Sequence, residues 1–259
     1  MAKILIFGLP GSGKTYLAQE IVNLLGDKVA WFNADAVREE ADDWDFSAEG
    51  RLRQKQRMKD LCSSAEAAGK VAIADFVCPF DSARAEFEAE YEVFVDTIDE
   101  GRFADTNAVF ERPSAWDYRI DSMRGNVDAI QLAWEIGDRF IWDNKQPTTQ
   151  MLGRWQPWHE GHQKLFDRAI AKHGQVWLMI RDMPMTDDNP FDQDAVKQNL
   201  REALAKYAGQ VRISIVPNVM NITYGRGVGY EIEQEVFDDE THAISATEIR
   251  AQMRKEGKL

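Results

Sequence analysis

Gly8-Leu9-Pro10-Gly11-Ser12-Gly13-Lys14-Thr15 stands between a short apolar run at residues 4–7 and a helix-forming stretch from Lys14 to Leu25. A strand that turns through glycines into a helix leaves backbone N–H groups and the positive helix end facing one point, which is a seat for phosphate oxygens. The spacing is GxxxxGK[ST], so Gly8, Gly11, Ser12 and Gly13 are expected to frame the anion. Lys14 would reach the β- and γ-phosphates of ATP and Thr15 would hold Mg²⁺.

Apolar, β-rich runs at residues 4–7, 29–32, 71–74 and 91–95 recur along the first part of the chain, and the first three lead into amphipathic stretches. This alternation predicts a parallel sheet with crossover helices. The pattern weakens after Asp99, where residues 105–144 are rich in Trp, Asp and Arg; a connector or lid with a helix at about 128–141 is expected there. A second alternation starts at residue 149, with strand-like runs at 149–153, 176–180 and 211–216, helix-like stretches at 161–173 and 194–208, and a last helix from about Ala246. The 259 residues therefore divide into two α/β domains, 1–146 (with the lid and connector at about 99–146) and 147–259. Both are expected to be parallel-sheet, three-layer folds.

A formal charge of −13 leaves no excess of cations to neutralise a nucleic-acid backbone, so nucleic acid is excluded as a partner and phosphate binding must be local. No stretch approaches the roughly 20 apolar residues of a membrane span. Cys62 and Cys78 form neither a CxxC pair nor a disulfide framework, which fits a cytoplasmic chain acting on small molecules and nucleotides. A homodimer is compatible with the composition.

Within the first half, Asn33-Ala34-Asp35-Ala36-Val37-Arg38 follows the second apolar run, Asp45-Phe46-Ser47 precedes Arg51, and Phe76-Val77-Cys78-Pro79-Phe80 follows the third. In order and spacing these blocks resemble the adenylylsulfate (APS) kinases, P-loop enzymes that phosphorylate a ribose 3′-hydroxyl. The resemblance covers residues 3–97. It implies that Asp35 orients or deprotonates the acceptor hydroxyl, that Arg38 and Arg51 meet an acceptor phosphate or sulfate, and that Phe46 and Phe76, with Val77 beside it, hold the acceptor's base. Physically, residues after parallel strands line the crevice at their carboxyl ends. Asn33 and Ala34 stand where the family has an acidic residue and a glycine, Gln54 replaces its asparagine, and its basic lid is not recognisable; Arg112 is a candidate phosphate contact in its place.

The second half holds Gly153-Arg154-Trp155-Gln156-Pro157-Trp158-His159-Glu160-Gly161-His162 and, downstream, Ser245-Ala246-Thr247-Glu248-Ile249-Arg250. The pair resembles the HxGH nucleotidyltransferases, with their Rossmann-like fold, in which these elements meet around a nucleoside triphosphate. The resemblance implies that His159, His162 and Arg250 stabilise charge on the reacting phosphorus and on departing pyrophosphate. Gly153, Arg154, Trp155, Gly161, Ser245 and Thr247 would complete the nucleotide site. The block at 153–162 with Asn189-Pro190-Phe191 is similar to nicotinamide mononucleotide adenylyltransferases, and Tyr224–Tyr230 to small cytidylyltransferases, so ATP and CTP both stand as the second nucleotide. The chain reads as a bifunctional kinase and nucleotidyltransferase. The alternative is a true adenylylsulfate kinase whose second domain binds nucleotide without turnover.

Overall fold

The computed structural model describes residues 2–223, 225–227, 229, 231–237 and 244–259; Tyr224, Val228 and Tyr230 of the cytidylyltransferase-like segment lie outside them. The chain divides into two compact units, Met1–Ile141 and Trp142–Leu259.

The first unit is built on five parallel strands: β1 (Lys3–Phe7), β2 (Val29–Asn33), β3 (Val71–Asp75), β4 (Tyr91–Val95) and β5 (Tyr118–Ile120), in the order β2-β3-β1-β4-β5. Near-continuous apolar sequence makes β1 and β3 buried along their whole length, as strands covered on both faces require. Helix α1 (Lys14–Leu25) carries the chain back to β2 on one face, packing with α6 (Asn126–Ile136), which continues into a π-helical turn at Gly137–Ile141. The short α2 (Ala34–Glu40), the long α3 (Ala48–Ala67) and α4 (Asp81–Phe87) carry it in the opposite direction. Right-handed crossovers therefore place α1 and α3 on opposite faces and make three layers. On the α3 side Leu5, Phe7, Met58, Ala74, Phe87 and Phe94 form one buried cluster. The connections leaving the adjacent strands β1 and β3 run in opposite directions, and the loops after β1, β2 and β3 open into a common crevice.

Residues 105–144 are more ordered than their sequence suggests. They contain the end of α5 (Ala104–Val109), strand β5 and α6. β5 is three residues long with Arg119 exposed at its centre, too short to produce a period-2 signal.

In the second unit, β6 (Thr149–Gly153), β7 (Val176–Arg181) and β8 (Val211–Val216) pair in parallel in that order. α7 (Glu160–His173) and α8 (Gln193–Ala203) cross between them and, with strands added in one direction, both lie on one face. Val176, Leu178, Ile180, Val211 and Met151 are buried there. On the other face Gln150 and Trp177 are exposed while Met179 is buried. The last helix, α9 (Ala246–Lys255), starts at Ser245. Among the described residues no helix is long and apolar enough to cross a membrane.

Candidate functional sites

The loop after β1 has the form its glycines dictate. Gly8, Gly11 and Gly13 have φ of 148°, 94° and 99°, and a Cβ on Gly8 would lie 2.3 Å from the Val95 carbonyl oxygen. Ser12 N–H donates to Leu9 O at 3.1 Å, and Thr97 Oγ1 donates to Ser12 O at 2.7 Å. Ser12 Oγ is buried without a hydrogen-bond partner among the described residues, a polar atom that a phosphate oxygen would satisfy. Lys14 folds back onto the loop, its Nζ donating to Leu9 O at 2.8 Å. Burial lowers its pKa to about 8 despite the nearby Asp75 and Asp35 carboxylates.

Next to Lys14 lies a buried polar corner that sequence reasoning left out. Asp75, the last residue of β3, is 2% exposed and accepts from Thr15 Oγ1 at 2.7 Å, Trp31 Nε1 at 2.9 Å and Asn33 Nδ2 at 3.0 Å. Burial raises its pKa, opposed by these hydrogen bonds and by Lys14. The Asn33 side chain turns the other way with its oxygen, accepting from Asp35 N–H at 3.1 Å and Ala36 N–H at 3.0 Å to start α2. Asp35 is thereby set, exposed, on the first turn of that helix at the edge of the same cavity. A hydroxyl on the first turn of α1 and a carboxylate at the end of β3 suit Mg²⁺, which takes few protein ligands and completes its shell with phosphates and water. Among the described residues no cluster of three or more His, Cys, Asp or Glu could hold a metal by itself.

The cavity has a volume of about 720 Å³ and runs from Lys14 and Thr15 past Asp35 to Arg38, Arg51 and Phe46. Arg38, 5% exposed, donates to the carbonyls of Asp43 and Asp45 at 2.9 and 3.1 Å, and its guanidinium lies 4.7 Å from the Phe46 ring centroid. Arg51 donates to Phe46 O at 2.9 Å and to Asp105 Oδ2 at 3.2 Å. Both arginines line the cavity while bracing the loop at 41–47, whose aromatic residues Trp44 and Phe46 are each 51% exposed. Phe76 is 9% exposed and packs on Phe87, so little of it is open to the cavity it lines, with Val77 beside it. Gln54 is buried and holds Ala34 O at 3.0 Å. Arg112 does not reach the loop; its guanidinium is taken by Asp96, which it shares with Arg119. Arg102 lines the cavity instead.

In the second unit the two expected motifs meet. Arg250, 4% exposed, donates to Gln156 O at 2.9 Å, tying the start of α9 to the loop after β6. Its other bonds go to Asp188 Oδ1 at 3.1 Å and Thr247 Oγ1 at 3.2 Å. Ser245 caps α9 by accepting from Thr247 N–H at 3.2 Å. His159 is the cap of α7 rather than a residue on its face: Nδ1 accepts the His162 N–H at 3.4 Å, which leaves Nε2 as the protonated donor of the neutral ring. The two imidazoles stack with centroids 3.6 Å apart. Burial lowers the pKa of His159, and burial with the neighbouring His159 brings His162 to about 3. Both rings are accordingly neutral hydrogen-bonding groups near neutral pH.

Trp155 has a left-handed φ of 54° and is 5% exposed; its indole donates to Met179 O at 2.9 Å and meets His162 edge-on. It supports His162 from behind. A Cβ on Gly153 would lie 2.6 Å from that indole, and one on Gly161 3.2 Å from the His159 ring, so both glycines permit close packing. Arg154 is exposed and reaches Asn189 Oδ1 at 3.4 Å.

Residues 1–115 match the sequence model of the family described as adenylylsulphate kinase, a match that includes no part of the second unit. No curated protein matches the chain. Among solved structures, the chain is similar to an APS kinase of Mycobacterium tuberculosis in complex with AMPPNP and APS, at 19% identity and a TM-score of 0.45, covering 51% of this chain and 94% of that one. A hexameric APS kinase from Thiobacillus denitrificans is 20% identical with a TM-score of 0.44, covering 52% of this chain and 28% of its own. A shikimate kinase from Acinetobacter baumannii in complex with shikimate is 16% identical with a TM-score of 0.38, covering 54% and 95%. Residues 1–115, which hold the phosphate loop, the Thr15–Asp75 corner and Asp35, form an adenylylsulphate-kinase-family domain.

Proposed function

We propose that the first unit transfers the γ-phosphoryl group of ATP to a hydroxyl of a small anionic acceptor, APS or a related nucleotide. The observation that carries this reading is the placement of Lys14, Thr15, Asp75 and Asp35 around one end of a cavity whose other end holds Arg38, Arg51 and exposed aromatic rings. Lys14 would trade its bond to Leu9 for phosphate oxygens, and the loop amides would share their charge. Thr15 and Asp75 would hold Mg²⁺, which when bound neutralises charge on the β- and γ-phosphates. Asp35 would orient the acceptor hydroxyl, and the Arg38–Phe46 pair suits a planar, negatively charged molecule.

For the second unit the reading is nucleotidyl transfer from ATP or CTP to a phosphate, with release of pyrophosphate. Its support is the meeting of the two motif segments through Arg250 and the neutral, stacked imidazoles. A phosphate acceptor is already a nucleophile, so the site needs donors rather than a base. His159 offers its Nε2–H, and the α9 N-terminus offers backbone N–H groups. Two orders of reaction follow: the kinase product is the second site's acceptor, or the second site supplies the nucleotide that the first phosphorylates. The competing reading keeps the kinase and gives the second unit a binding role alone; Arg250, already occupied by Asp188 and Gln156, favours it.

The test is to incubate the full chain with Mg²⁺ and ATP or CTP, with and without APS and simple phosphomonoesters, and to follow ADP and pyrophosphate separately. ADP formation abolished by Asp35→Ala supports the kinase, and pyrophosphate release abolished by His159→Ala supports the transferase. ADP without pyrophosphate selects the binding role for the second unit. Absence of both products with every acceptor overturns the proposal.

A further inference from the structure

Arg102 is distinguished by what it lacks. Every other arginine of the first unit gives its guanidinium to a carboxylate or a carbonyl: Arg53 and Arg57 to Asp43, Arg112 and Arg119 to Asp96, and the rest to similar partners. The Arg102 side chain alone among these has no hydrogen-bond or ion-pair partner in the described residues. In a chain of net charge −13, where carboxylates are abundant, an arginine left unpaired beside an anion-binding loop points to a ligand that supplies the partner.

The local fold holds it there. A Cβ on Gly11 would come within 3.2 Å of Arg102 Nε and 3.6 Å of its Cγ, so the side chain lies directly on the phosphate loop. Its backbone N–H approaches Pro10 O at 3.4 Å, and Gly101 packs so tightly on Pro10 that a Cβ would meet Pro10 Cδ at 2.9 Å. The Asn107 side chain pins the same turn by accepting from Gly101 N–H at 2.9 Å and donating to Gly101 O at 3.0 Å. Three residues beyond Arg102, Asp105 and then Thr106 receive Arg51 from the acceptor end of the cavity. One short segment therefore touches both ends of the site.

Building on the kinase reading above, we propose that Arg102 is the cation that meets the terminal phosphoryl group of the nucleotide and positions it for transfer. In that step the bond from the γ-phosphorus to the β,γ-bridging oxygen breaks and its electron pair leaves with ADP. A bond forms from the acceptor oxygen to the same phosphorus, and the hydroxyl proton passes to Asp35 or to water. Arg102 stays protonated throughout and binds the equatorial oxygens on which charge is spread.

ADP lacks the group that Arg102 would hold, so a pair of ligands isolates its contribution. Calorimetry of the full chain with Mg·ADP and with Mg·AMPPNP is compared between wild type, Arg102→Ala and Arg102→Lys, with thermal melts to verify folding. Arg102→Ala is expected to leave ADP affinity within about twofold and to weaken AMPPNP by at least about tenfold, the worth of a charge-assisted hydrogen bond. Arg102→Lys should recover part of that loss. With an acceptor found, kcat should fall by about 10²–10³ while acceptor KM changes little. Equal losses for both ligands, or no loss for either, overturn the role of Arg102 while the kinase reading stands. A wild-type protein that binds neither ligand overturns both.

Discussion

Lys14 sits at the meeting of burial and function. With its ammonium enclosed and bonded to a single carbonyl, its pKa falls to about 8, and phosphate oxygens would reverse that by favouring the charged form. The sign follows: above this pKa the empty site holds mostly neutral lysine and must take up a proton as nucleotide binds, whereas at acidic pH the proton is already present. Calorimetry of Mg·ADP binding in buffers of different ionisation enthalpy should show uptake approaching one proton at about pH 9 and almost none at about pH 6.5. Pure release at the higher pH would contradict it. Lys14, Thr15 and Asp35 were legible because a local motif or the end of an apolar run marks them. Asp75 was not, since its significance comes from the β1–β3 register, which sets Asp75 opposite Ile6 and near Thr15, 60 residues away in sequence. Arg102 was hidden in a stretch without periodicity.

At the level of elements, the acceptor side depends on how the 41–47 loop seats against α3. Asp43 gathers Arg53 and Arg57, Ser47 caps the helix, and Gly50 lets the Asp45 backbone come so close that a Cβ would lie 2.2 Å from its carbonyl oxygen. Gly50→Ala must therefore displace the loop that carries Trp44 and Phe46. A loss of about 1–3 kcal/mol in chemical denaturation is expected, as for other overpacking changes, together with weaker acceptor binding. An unchanged midpoint would show that the loop shifts freely. The principal strands were readable from apolar runs bounded by glycine and polar residues, and the start of the last helix near Ala246 from its sequence. β5 and α5 were not, because three and six residues are too few to carry a periodic signal. That His159 caps its helix was not legible either, since it depends on backbone dihedrals at one residue.

For the whole molecule, each unit has its own sheet and its own buried apolar residues. The first unit contains every residue that surrounds the 720 Å³ cavity. A fragment ending at Ile141 is expected to fold alone and to bind Mg·ADP within about threefold of the full chain, measured by calorimetry, since units with separate cores behave as separate domains. A fragment that is unfolded, or folded but unable to bind, would contradict this. The alternation of strand and helix made both sheets legible, while the face of the second that its crossover helices cover was not, because a strand sequence does not say which of its faces a helix will cover. Asn33 joins two neighbouring strand ends by giving its oxygen to α2 and its nitrogen to Asp75 at 3.0 Å. An aspartate there could still begin the helix, yet it would face the Asp75 carboxylate at hydrogen-bond distance, and two carboxylates that close repel each other unless one takes up a proton. That corner thus has room for a single negative charge, and moving it from one strand to the other requires exchanging both side chains at once.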